Sequence, residues 1–140
     1  MNKAKEVLRE HGYYCASVHG CSMNPLLLNH RDSVFVELTD SFKKYDVVLF
    51  ERKSGQLVLH RIIKCDGEYF VISGDNDLLK ERVHFSRILG KMTEFSRKGK
   101  EHNVFEPWYV IYSRVWNFSF ITKRILIFIY RVLSWIKRKL

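Results

Sequence analysis

The sequence predicts a mainly β protein, a coiled antiparallel fold with a short N-terminal helix and two C-terminal amphipathic helices. Three observations carry that reading. Short runs rich in aromatic and β-branched residues recur at close spacing between residues 13 and 95, as strands of an antiparallel body do. Turn pairs such as Ser54-Gly55 and Asp66-Gly67 separate them, leaving no room for the crossover helices of a parallel sheet. After Pro107 the apolar spacing changes to the 3.6-residue period of helices.

Ala4, Val7 and Leu8 share one helical face and Gly12 follows them, which predicts a helix over residues 3 to 11. Tyr13 to Val18 is a first strand that delivers the chain to Gly20-Cys21-Ser22-Met23-Asn24-Pro25, a small-residue turn closed by proline. Leu26, Leu27 and Leu28 then plug the core. Further strands are expected over Ser33 to Leu38, Asp46 to Glu51, Gln56 to Lys64, Tyr69 to Ser73 and Arg87 to Phe95. In Gln56 to Lys64, Val58, His60 and Ile62 fall on one face while Leu57, Leu59, Arg61 and Ile63 fall on the other. Trp108 to Trp116 forms the first C-terminal helix and residues 121 to 139 the second. On the helical wheel of the second, Lys123, Arg124, Arg131 and Arg138 oppose Ile125, Phe128, Ile129, Val132, Leu133, Trp135 and Ile136.

The chain has 140 residues, enough for one globular body. Its organisation is a β domain over 1-106 and a basic helical tail over 107-140. Of the net charge of +9, the tail supplies seven Lys/Arg with no Asp or Glu, so the body is nearly neutral. This split argues against a nucleic-acid face and for an anionic membrane surface met by the tail. Within residues 121 to 139 the longest uncharged run, Ile125 to Tyr130, is too short to span a bilayer. The second helix is therefore expected to lie in the interface, with Lys123, Arg124, Arg131 and Arg138 at the headgroups and Phe128 and Trp135 in the acyl boundary. Cys15, Cys21 and Cys65 show no metal-ligand spacing, and reduced, buried thiols are expected. The charged stretch from Met1 to Tyr14 has no apolar segment of a signal peptide. The expected location is cytoplasmic, peripheral on the inner face of the cell membrane. No metal or cofactor is called for.

Ser22, in its turn of small residues, is the candidate nucleophile. A serine hydroxyl needs a base, an orienting group for that base and donors for the oxyanion. His60 lies 38 residues further on in mid-strand, and an imidazole can accept a proton near neutral pH.

Gly20-Cys21-Ser22-Met23-Asn24-Pro25, Arg31-Asp32-Ser33-Val34, Tyr45-Asp46-Val47-Val48-Leu49-Phe50, Val58-Leu59-His60-Arg61-Ile62, Gly74-Asp75-Asn76 and Ile88-Leu89-Gly90-Lys91 stand in order along the chain. Together they resemble the ordered boxes of signal peptidase I and LexA-type serine peptidases, over roughly residues 15 to 95. Within that superfamily the chain looks most like the small stand-alone bacterial signal-peptidase-like proteins.

The resemblance implies a serine endopeptidase acting on peptide precursors or membrane-proximal segments. It places Ser22 at the nucleophile. His60 falls where bacterial members carry a lysine base and the endoplasmic-reticulum and archaeal type carries histidine. The orienting acid is Glu81 or Asp75, with Asp77 behind. The oxyanion donors are the N–H groups of Ser22 and Cys21, since Gly20 replaces the serine that supplies a hydroxyl in the family. Met23 is expected to wall the substrate groove, and Asp32 and Asp46 to be structural. Tyr45 stands where the family usually has glycine, and Asn29-His30 where a Gly or Pro-Gly turn is common. The alternative function is a non-catalytic, membrane-associated peptide-binding module on the same fold. A self-cleaving regulator is disfavoured, since no helix-turn-helix segment or Ala-Gly linker precedes the β body.

Overall fold

A computed structural model describes residues 3–140. Helix α1 (Lys3–His11) is followed by β1 (Tyr13–Ser17), β2 (Ser33–Leu38), β3 (Val47–Glu51), β4 (Leu57–Asp66), β5 (Tyr69–Ser73), β6 (Glu81–His84), β7 (Ile88–Arg97) and β8 (Lys100–Asn103), then by helices α2 (Pro107–Trp116) and α3 (Phe120–Lys139). The strands form one antiparallel sheet in the order β1-β2-β7-β3-β4-β5-β6, with β8 paired to β7. This is the mainly β architecture that the turn and strand signals predict. Strands β6 and β8 are not among the predicted strands: Val83 is the one apolar residue of β6 among Glu81, Arg82 and His84, and β8 (Lys100–Asn103) has none, so no alternation announces either.

The sheet coils because its ladders are interrupted. Register shifts fall at Phe35/Val36, Leu49/Phe50 and Ile62/Lys64, and each adds local bend and twist. Coiling gives β3 and β4 two buried faces, which is why Val47 to Phe50 is an unbroken apolar run. One core cluster gathers Val47, Leu49, Leu8, Leu26, Leu27 and Phe95, and the other Val48, Phe50, Ile62 and Ile72. At the sheet centre Gly90 is required, because a Cβ there would come within 2.4 Å of the Glu37 carbonyl oxygen on the neighbouring strand.

Tyr45 and His30, the two positions where glycine is the family habit, both have positive φ, 78° and 60°. The backbone keeps the left-handed turn that glycine would take without strain. Tyr45 is held there by Arg61, whose Nη1 donates to its carbonyl at 2.9 Å. Asp32 accepts from the N–H groups of Leu28 at 2.8 Å and Lys98 at 3.1 Å, tying the end of the nucleophile turn to the β7–β8 hairpin. Asp46 accepts from Lys43 N–H at 2.9 Å.

The tail packs on the β body. Tyr109 of α2 is buried in the first core cluster, and Lys123 and Ile127 of α3 are buried against the body. The cysteines depart from expectation in another way: Cys15, Cys21 and Cys65 are free and all exposed. Cys15 alternates outward on edge strand β1, and Cys65 lies in the exposed end of β4.

Candidate active site

Ser22 and His60 are brought together. The Ser22 Oγ lies 3.1 Å from His60 Nε2, within reach for proton transfer. Antiparallel pairing with β3 and β5 fixes the backbone of His60 in β4. Its ring is buried and meets the Phe50 ring edge-on. Burial pulls the His60 pKa below its ordinary value; the carboxylates of Glu81, Asp77 and Asp75 oppose this and Arg52 adds to it. The ring is therefore neutral at neutral pH, the form a general base needs.

The nucleophile turn is held from the other side by the Gly74-Asp75-Asn76 box. Asn76 N–H donates to the Ser22 carbonyl at 2.8 Å, and Asn76 Nδ2 donates to the Cys21 carbonyl at 3.1 Å. Gly74 lies flush against the pair: a Cβ built on it would meet the Ser22 carbonyl oxygen at 2.6 Å, with His60 Nε2 and Ser22 Cβ at 3.2 Å. Asn76 thus does more than close a turn. The N–H groups of Cys21 and Ser22 have no hydrogen-bond partner among the described residues.

Neither candidate for the orienting acid reaches the imidazole. Asp75 is fully committed elsewhere: Arg61 Nε and Nη2 donate to its two oxygens at 2.9 Å each, and the Tyr112 hydroxyl donates to Oδ2 at 2.7 Å. Burial alone would raise the Asp75 pKa, but the Arg61 charge and these hydrogen bonds outweigh it and hold the carboxyl below its usual range. Glu81 forms a two-pronged ion pair with Arg52, which also donates to Gln56 Oε1 at 2.8 Å. Asp77 accepts from Leu79 N–H at 2.9 Å. His60 Nδ1 is buried and has no hydrogen-bond partner among the described residues. The carboxylates act on His60 through space, and the geometry is a dyad.

The Ser22–His60 pair opens into a cleft of about 680 Å³, walled by Ala16 of β1, Val18 just after it, Leu57 and Leu59 of β4, and Met23. Met23 is itself buried in the adjoining core.

Two of the residues expected at a lipid interface sit elsewhere. Lys123 is only 6% exposed; its Nζ donates to the Gly74 carbonyl at 2.7 Å and to Ser73 Oγ at 3.0 Å. Burial lowers its pKa to about 8, with Asp75 and Asp77 opposing the shift. Arg131 donates to the Asn76 carbonyl at 3.2 Å and lines the cleft. The helical wheel separates basic from apolar residues correctly, but the basic side at Lys123 and Arg131 faces the protein. Arg61, Tyr109, Tyr112 and Trp116 also brace the site unforeseen. The one available signal was a pair of opposite charges: Arg61 set among the apolar residues of β4, and Asp75 just after the apolar run of β5.

An antiparallel coiled sheet with a serine and a histidine converging at one cleft defines a serine-peptidase-like domain. The chain belongs to the Peptidase S24-like family, whose model matches residues 1–93. A search of the curated proteins finds no match. Strand β8 and both C-terminal helices lie beyond the matched residues.

Proposed function

We propose that the protein is a serine endopeptidase that works by a Ser22/His60 dyad at an anionic lipid surface. The 3.1 Å contact between Ser22 Oγ and His60 Nε2 at the head of a cleft carries the reading. Ser22 attacks the scissile carbonyl as His60 takes its proton. The imidazolium returns that proton to the leaving amine, and water hydrolyses the acyl-enzyme by the same route. The Cys21 and Ser22 N–H groups receive the developing oxyanion. An extended peptide precursor or membrane-proximal segment lies along β1, an edge strand whose backbone can pair with it.

The lipid surface is supported by the side of α3 that faces away from the body. Ile125, Phe128 and Trp135 are 53%, 67% and 55% exposed, an apolar face too large to leave in water without a partner. Arg124, Lys137, Arg138 and Lys139 flank it, and no acidic residue follows Glu106; anionic headgroups complement that charge at about 1 kcal/mol per basic residue. No helix among the described residues is long and apolar enough to cross a membrane, so α3 would lie in the interface. The exposed free thiols suit a reducing compartment, consistent with the inner face of a cell membrane.

The test is processing of a co-expressed precursor peptide in cells. Ser22→Ala and His60→Ala should each abolish cleavage while the protein still accumulates. Unchanged processing in both variants would leave the binding-module function in its place.

A further inference from the structure

Three consecutive carbonyls of the Gly74-Asp75-Asn76 box each accept a hydrogen bond from a different C-terminal side chain. Lys123 Nζ donates to Gly74 O at 2.7 Å, Trp116 Nε1 to Asp75 O at 2.6 Å, and Arg131 Nη2 to Asn76 O at 3.2 Å. The opposite edge of the same box holds the chemistry: Asn76 binds the carbonyls of Ser22 and Cys21, and Gly74 abuts Ser22 and His60. The box is thus a thin plate between the helices and the dyad, with no side chain at Gly74 to buffer a shift.

We infer that α2 and α3 are part of the catalytic machinery, and that Lys123, Trp116 and Arg131 are positioning residues that set the Ser22–His60 geometry through the box. The inference rests on the Ser22/His60 mechanism and adds to it elements that lie outside the family match. The physical reason is leverage. Two of the three donors are cationic, and charge-assisted hydrogen bonds are shorter and stronger than neutral ones. Lys123 is buried, so water cannot replace it at Gly74 O without opening the α3 contact. A box released on this side can rotate away from Ser22, and misplacement of reacting groups by about 1 Å costs on the order of 100-fold in rate.

The experiment uses the full chain and N-acetyl-alanine p-nitrophenyl ester as the probe, which requires acyl transfer to Ser22 but little substrate binding. Lys123→Met, Trp116→Phe and Arg131→Gln are compared with wild type for kcat, KM and melting temperature. Arg131 is exposed and Trp116→Phe keeps an aromatic ring at that position, so these two should fold even if Lys123→Met does not. Each folded variant should lose about 10- to 100-fold in kcat with KM within about twofold, because only the reacting geometry is disturbed. In the same variants the His60 ring titration, followed by NMR, should move up toward the ordinary histidine value as the ring gains water. A lower melting temperature with unchanged kcat and His60 titration would assign the three residues a purely structural role and overturn the inference. Ser22→Ala in the same assay separates the two levels. If it keeps the wild-type rate, the proposed chemistry falls; if it is inactive while the three variants are fully active, only the inference falls.

Discussion

Gly74 touches Ser22 so closely that no side chain fits between them: a Cβ on Gly74 would stand 2.6 Å from the Ser22 carbonyl oxygen. Backbone cannot yield as a flexible side chain can, so Gly74→Ala must displace the nucleophile turn. The expected result is a folded protein with at least about a 100-fold loss of peptidase activity, since the clash is local to the site. Activity against a precursor peptide, measured beside the melting temperature, checks this.

Glu81 and Asp75 should separate cleanly under isosteric substitution. Glu81→Gln removes only a part-exposed partner of Arg52 and a distant field on His60, so activity should stay within a few-fold of wild type. Its pH–rate profile should shift slightly, with the acid limb moving to lower pH, because the Glu81 charge raises the His60 pKa. Asp75→Asn leaves Arg61 buried with its charge unpaired, a change that costs about 3–5 kcal/mol. Chemical denaturation of both variants tests the pair.

The buried imidazole predicts a direction for pH effects. His60 has a folded-state pKa below the ordinary 6.5, so the unfolded chain binds a proton that the folded chain refuses. Stability from this group is therefore complete above pH 6.5 and is lost as pH falls through 6.5 toward the folded-state value. Wild type should lose more stability between pH 7.5 and 5 than His60→Gln does, read as the difference in urea midpoints. The acid limb of kcat/KM should lie below 6.5 for the same reason.

Substitution can part the two roles proposed for helix α3. Phe128→Glu and Trp135→Glu alter side chains exposed on the face away from the body, so folding and acyl transfer should persist. Binding to vesicles containing anionic lipid should fall by at least tenfold, because a charge now opposes burial of the apolar face. Cosedimentation measures it. Equal binding by wild type and both variants would remove the lipid surface from the account.

Much of this was legible in the sequence. The turn that carries Ser22 is marked by small residues and proline, while His60 in mid-strand stands out only through the resemblance to the peptidase boxes. The resemblance to the peptidase boxes pairs the two, and the fold brings them within 3.1 Å. The third member was not legible, because the offset from a Gly-Asp-Asn turn locates a carboxylate along the chain but not the direction it points. Asp75 points to Arg61 and Glu81 to Arg52. The tail was half legible: the wheel divides α3 into two faces, yet periodicity cannot tell which one the protein takes. Lys123 shows that a basic residue can turn inward when unpaired carbonyls wait for it, here that of Gly74.

If Ser22 is a nucleophile activated by His60, an acyl-enzyme can be trapped on it. The protein is mixed with N-acetyl-alanine p-nitrophenyl ester, quenched in acid within the burst, digested and mapped by mass spectrometry. The expected result is an acetyl-alanyl adduct on Ser22 in wild type and its loss in His60→Ala. An adduct confined to another residue, or equal labelling of Ser22 with and without His60, would contradict it.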